Sequence, residues 1–334
     1  MRQKSIFEFK RVGEQVRKRL SSNLAGGLGN QLNCYFAALY FAHKYNYKII
    51  TLNSGTANTI HTLPNSLNSI LPKEIQMKES KPITINLEHK KTNLRLNGAL
   101  RSFGSNFYSL YQSVSGILDD SNYTNLPEGS YHDFLQNHFK QVSLNGTKSI
   151  RFNGFFPSQR FYQELEPHLH SAESILHFEK IITPEVALLE SSNSLPYCVL
   201  HLRVGDFLLP GRNTFGVLDE NYFLGAISLV RKEYPGISVW AVSDDEQVAT
   251  KLYPTLLHKD VQLIRGLDTQ SPLTTFEFIR NATVVICANS SFSFWAARLS
   301  SKVERTFIPS KPHLSIAGMK YLPDHWKQVE NSFL

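Results

Sequence analysis

The sequence predicts an α/β protein in two units, the second of them a doubly wound parallel sheet. Three observations carry that expectation. From about residue 180 short apolar runs alternate with helical patterns, and over residues 25–52 a glycine-rich loop, a helix and an apolar run follow one another. The length of 334 residues also exceeds the size at which a single core usually stops growing.

The second unit reads most clearly. Tyr197–Arg203 is expected as a strand, Glu220–Tyr234 as a helix, Ile237–Ser243 as a strand and Glu246–Tyr253 as a short helix. Val261–Arg265 is the next strand, Thr274–Asn281 a helix, Thr283–Ala288 a strand and Ser291–Leu299 a helix. Short connections between such elements favour parallel pairing, and ligands then sit beyond the carboxyl ends of the strands. In the first unit residues 31–44 are expected as a helix leading to a strand at Tyr47–Leu52, whereas Ser21-Ser22-Asn23-Leu24 is a poor strand. Residues 53–150 read as loop-rich and substrate-facing, broken by Pro64, Pro72, Pro82 and Pro127. The expected division is a basic tail over 1–22, a first domain over 23–180 and a second over 181–334.

Composition narrows the function. Hydrophobic residues make up 42% and charged residues 19%, the balance of a soluble globular protein, and no run approaches the roughly 18 to 20 apolar residues of a membrane span. No secretory signal is evident, and Cys34, Cys198 and Cys287, odd in number and set in mostly apolar runs, read as buried thiols. A cytoplasmic location is the expectation. Of the net charge of +7, residues 1–20 hold +5, so the body is nearly neutral and lacks the basic stripe of a nucleic-acid groove. Phe9, Val12, Val16 and Leu20 recur at helical spacing among those basic residues. The segment reads either as a helix packed on its own domain or as a surface helix in peripheral contact with an anionic membrane.

Four clusters carry chemistry. Gly26, Gly27 and Gly29, with Asn30, precede a helix whose free amides suit an anion, although Leu32 occupies the place of a dinucleotide fingerprint's third glycine. At the first strand end of the second unit stand His201, Arg203 and Asp206. Arg203 offers a fixed cation with forked donors for a diphosphate, or else a surface ion pair, and Asp206 offers a general base or a loop anchor. Asp244 and Asp245 follow the second strand, where a metal, a helix cap and a nucleotide contact are alternatives. Asn289, Ser290 and Ser291 open the last helix, where hydroxyls and amides can cap it and hold a phosphate.

Taken in order, Gly26-Gly27-Leu28-Gly29-Asn30-Gln31-Leu32, His201-Leu202-Arg203-Val204-Gly205-Asp206-Phe207, Ser243-Asp244-Asp245 and Ala288-Asn289-Ser290-Ser291-Phe292-Ser293-Phe294-Trp295 resemble the successive motifs of the alpha-1,2-fucosyltransferase family. Gly154–Tyr162 resembles its mid-chain segment, and Pro309–Pro312 with Trp326 its tail. The resemblance implies two Rossmann-like domains facing a cleft (GT-B type), GDP-fucose as donor, a galactose-terminated glycan as acceptor, inversion at the anomeric carbon, and no metal or cofactor. It places Arg203 on the diphosphate and His201 against the nucleotide. The Asp244 region falls on the nucleoside, Ser290 and Ser291 on the phosphate, and Gly27, Gly29 and Asn30 on the facing wall.

Two departures stand out. Val204 occupies the place of the family's second adjacent arginine, and Asn33-Cys34 replaces a usual Phe-Gln pair. Three readings therefore stand: a fucosyltransferase of surface polysaccharide or O-antigen type, a GDP-sugar or glycan binder that has lost catalysis, and a transferase of another GDP-sugar.

Overall fold

The structure is a computed structural model. It describes residues 19–24, 26–45, 47, 49–54, 83–86, 115–119, 149–153, 163–164, 196–209, 215–257, 261–266, 272–312 and 322–334. Two sheets organise the described chain. The first contains β1 (Arg19–Leu24), β2 (Ile49–Ser54), β3 (Ile83–Asn86), β4 (Ser115–Asp119) and β5 (Ser149–Asn153), in the order β3-β2-β1-β5-β4. All neighbours are parallel except β3, which runs antiparallel to β2.

The helix α1 (Leu28–Lys44) crosses from β1 to β2. Residues 31–42 are buried at every position, so α1 is a core helix covered on all sides. The weak-looking segment is the central strand β1. Leu20, Ser22 and Leu24 share one face and are all buried, and the Ser22 hydroxyl donates to the Cys34 carbonyl of α1 at 3.2 Å. Small serines with backbone partners let α1 lie close to the sheet, and that packing overrides their poor strand propensity. Arg19 and Leu20, assigned above to a basic helix, therefore begin β1. The rest of that call, residues 1–18, lies outside the described residues. Within the expected loop-rich stretch three further strands appear, β3, β4 and the start of β5.

The second sheet is wholly parallel. Its strands are β6 (Tyr197–Leu202), β7 (Ser238–Ser243), β8 (Val261–Leu263), β9 (Val284–Ile286), β10 (Arg305–Pro309) and β11 (Trp326–Val329), in the order β11-β10-β9-β6-β7-β8. Between them lie α2 (Glu220–Glu233), α3 (Glu246–Leu252), α4 (Pro272–Arg280) and α5 (Ser291–Arg298). The expected alternation of strands and helices over 197–299 is present, with ends that coincide or shift by one or two residues. From β6 the chain winds outward to β7 and β8, then returns to β9 on the other side of β6. The direction of winding thus reverses between β6 and β9, which leaves a crevice beyond their carboxyl ends.

Alternation along β6 sorts its residues to two faces. Cys198, Leu200, Leu202 and Val204 enter the core beneath α2, while Val199 belongs to the core that contains α1 and α5. Cys34, Cys198 and Cys287 are buried free thiols. No described helix is long and apolar enough to cross a membrane.

Candidate active site

The crevice between β6 and β9 gathers the sequence-predicted residues. Arg203 leaves the end of β6 with 23% of its side chain exposed and meets two carboxylates. Its Nη2 lies 2.5 Å from Asp206 Oδ1 and its Nη1 3.1 Å from Asp244 Oδ2. Asp206 opens a 3-10 turn over Asp206–Leu208 and is buried. Asp244 reaches across from the end of β7, and its Oδ1 accepts the amides of Val204 at 2.8 Å and Gly205 at 3.3 Å. Gly205 suits this closeness, since a Cβ there would stand 3.0 Å from Asp244 Oδ2. Asp206 and Asp244 thus anchor the arginine and its loop. Asp245 caps α3 by accepting the Val248 amide at 2.9 Å, which is the cap named among the alternatives.

His201 precedes Arg203 by two residues and is 3% exposed. Burial, and then the Arg203 cation, lower its pKa from 6.5 to about 3, so the ring is neutral across the physiological range. Its centroid lies 5.6 Å from that of Phe292, and among the described residues its Nδ1 has no hydrogen-bond partner. Asn289 is fixed by its amide, which donates to the carbonyls of Phe215 at 3.1 Å and Gly216 at 2.9 Å. Its buried Oδ1 has no hydrogen-bond partner among the described residues. A buried acceptor left unmatched costs about 1–3 kcal/mol, so such atoms mark a place where a ligand donor would be favourable.

The facing wall comes from α1, the helix packed on the first sheet. Ser291 Oγ donates to Asn30 Oδ1 at 2.9 Å, and Asn33 Oδ1 accepts the Trp295 indole N–H at 2.7 Å. Phe36 stacks on Trp295 with centroids 4.3 Å apart. Gly29 makes the approach possible, because a Cβ there would stand 2.5 Å from the Phe292 amide nitrogen and 2.6 Å from Ser291 Oγ. The amino ends of α1 and α5 are therefore pressed together. Gly26 adopts φ of +69°, Gly27 caps α1 without a side chain, and a Cβ at Gly27 would meet nothing within 4 Å. Ser290 caps α5 by accepting the Phe292 amide at 3.3 Å. Two helix amino ends, each carrying roughly half a positive charge, meet close to His201, whose ring contacts Phe292 of α5. The arrangement suits an anion with several oxygens.

The family model described as Glycosyl transferase family 11 matches residues 15–314. The chain belongs to glycosyl transferase family 11. An alpha-1,2-colitosyltransferase of Escherichia coli is 24% identical over 202 residues, covering 58% of this chain and 68% of that protein. The O-antigen biosynthesis glycosyltransferase WbnK of Escherichia coli is 24% identical over 324 residues, covering 91% of this chain and 98% of that protein. Among solved structures, the fucosyltransferase NodZ from Bradyrhizobium aligns with a TM-score of 0.46 at 14% identity, covering 91% of this chain and 97% of that one. POFUT1 in complex with GDP aligns at 0.42 and 12% identity, covering 87% and 98%.

The four main motifs singled out in the sequence meet around one crevice; the mid-chain segment Gly154–Tyr162 lies outside the described residues, and Pro309 and Trp326 belong to β10 and β11. Sequence reasoning missed Phe207, whose ring lies 5.4 Å from Arg203 Cζ, and Phe215, which stacks on Phe207 at 5.1 Å. An aromatic directly after Gly205-Asp206 was the available signal for the first. Nothing local signalled the second.

Proposed function

We propose that this family 11 glycosyltransferase moves L-fucose from GDP-fucose to a galactose 2-hydroxyl of a surface polysaccharide or O-antigen glycan, with inversion, across a cleft between two Rossmann-like (GT-B type) domains. One observation carries the reading. Arg203, braced by Asp206 and Asp244, follows at the end of β6 two residues after neutral His201, whose ring meets Phe292 where the amino ends of α5 and α1 join. A preorganised cation and oriented amides stabilise charge that develops on a leaving diphosphate, usually the largest catalytic contribution. In this assignment Arg203 neutralises the departing oxygens, while Ser290, Ser291 and the amides after Gly27 and Gly29 hold the phosphates. His201 and Asn289 offer their unmatched acceptors to the nucleotide or sugar. Asp206 serves as anchor rather than base.

No metal is assigned. Asp244 is committed to Arg203 and two backbone amides and Asp245 to the cap of α3, which supports anchoring and capping roles for the pair over chelation. The similarity to an alpha-1,2-colitosyltransferase supports the alpha-1,2 linkage, and that to the O-antigen biosynthesis glycosyltransferase WbnK supports the O-antigen context. A second reading keeps the linkage and changes the sugar, since one of those relatives is a colitosyltransferase.

The deciding experiment presents GDP-fucose, GDP-colitose, GDP-mannose and UDP-galactose to the full-length protein, with and without a galactose-terminated oligosaccharide. Nucleotide release and the product's linkage by NMR are the readouts. Acceptor-stimulated GDP release from GDP-fucose with a new alpha-1,2 bond is expected. Turnover of GDP-colitose alone would select the second reading, and GDP binding without release would leave a binder.

A further inference from the structure

We propose that Phe207 and Phe215 form an aromatic relay, anchored by Asn289, that positions the Arg203 guanidinium; the proposal rests on the assignment of Arg203 to the donor diphosphate. Asp206 and Asp244 take the guanidinium by its Nη2 and Nη1 groups, which fixes its edge. The ring of Phe207, 5.4 Å from Cζ, sits against the group from a third direction. Phe207 in turn lies nearly parallel to Phe215, with centroids 5.1 Å apart and planes at 15°.

Phe215 is held from two sides. The Asn289 amide donates to the carbonyls of Phe215 and Gly216. Just beyond, the last residues of the sequence strap the segment down: Leu334 N–H donates to Val217 O at 2.9 Å, Asp219 N–H to Ser332 O at 2.9 Å, and Leu218 bridges Phe333. Both phenylalanines are only partly buried. Phe207 rests on the core beneath α2, so its ring ties the Arg203 guanidinium to that core, and Phe215 backs the ring from its other face. Asn289, Phe215 and Phe207 therefore act through Arg203 and are positioning residues.

The test is a cycle built on Phe215→Leu, one step removed from the arginine. GDP affinity is measured by calorimetry in the wild type, Phe215→Leu, Arg203→Ala and the double variant. Phe215→Leu should weaken GDP about fivefold when Arg203 is present and less than about twofold when it is absent, because a residue acting through another loses its effect with it. Phe207→Tyr, which keeps the ring, should stay within about twofold of wild type. Independently of any nucleotide, the rate at which phenylglyoxal modifies Arg203, mapped by mass spectrometry, should rise about fivefold in Phe215→Leu as the guanidinium is freed. Equal losses in both backgrounds, or unchanged labelling, would overturn the relay. If the wild type binds no GDP, the donor assignment fails and the labelling alone decides the relay. Should Phe215→Leu not fold, Phe207→Leu is read in the same way.

Discussion

His201 links the site to the stability of the fold, and its consequence can be worked out. In the unfolded chain the imidazole takes a proton near pH 6.5, whereas in the folded protein burial and Arg203 lower that value to about 3. Between these values the unfolded state holds one proton more than the folded state, so stability falls as pH falls. At pH 5 the group alone costs about 2 kcal/mol relative to pH 7.5, from ~1.4 kcal/mol for each unit below 6.5. Carboxylates also titrate toward the acid end, so the informative quantity is the difference between wild type and His201→Gln. Denaturant unfolding followed by tryptophan fluorescence at pH 7.5, 6.0 and 5.0 should show the variant gaining about 2 kcal/mol on the wild type over that range. Parallel stability curves would show that His201 is not held neutral. A limb near pH 6.5 in the rate profile of the wild type, absent from the variant, would refute the same reasoning from the side of activity.

Other perturbations follow from the same geometry. Arg203→Ala should lower turnover by at least about 100-fold, since a lost transition-state charge contact costs on the order of 3 kcal/mol, and should also lower the melting temperature, because Asp206 and Asp244 lose their shared partner. Kinetics within threefold of wild type would remove Arg203 from the chemistry. Gly29→Ala forces a Cβ into the Phe292 amide and Ser291 Oγ, and overpacking of this kind costs about 1–3 kcal/mol; it should lower both the unfolding midpoint and GDP affinity, whereas Gly27→Ala, where the space is open, should leave stability within about 1 kcal/mol. Activity should survive exhaustive treatment with EDTA, and a loss restored by Mg2+ or Mn2+ would return Asp244 and Asp245 to a metal role.

The second sheet was legible because its strands are short, apolar and regularly spaced, and because its helix caps are Asp219, Asp245 and Ser290, residue types that announce a helix start. β1 was not, because what makes it a central strand is the closeness of α1, and Ser22 serves that closeness by being small and bonding to Cys34. Propensity carries no trace of such a demand. At the site, the motifs marked which residues matter but not what they touch. Asn30 and Ser291 are 261 positions apart, as Asn33 and Trp295 are 262, and only the fold joins them. Asp244 and Asp245 look alike as neighbours in sequence. Register sends one back to β6 and Arg203 and the other forward to the cap of α3.

That register also bears on Val204, the residue that motivated a reading without catalysis. For valine at this position to mean a lost catalytic charge, the side chain would have to face the crevice. It does not: Val204 is 0% exposed and lies with Leu200 and Leu202 in the core beneath α2, whereas the His201 ring meets Phe292 of α5. An arginine at 204 in this backbone would bury a cation among apolar side chains, at a cost of several kcal/mol. Arg203 itself supplies the cation, and Asp206 and Asp244 fix where it stands. A charge held in place before the reaction is the property that favours a transition state over a ground state, and the oriented amides at the amino ends of α1 and α5 add to it.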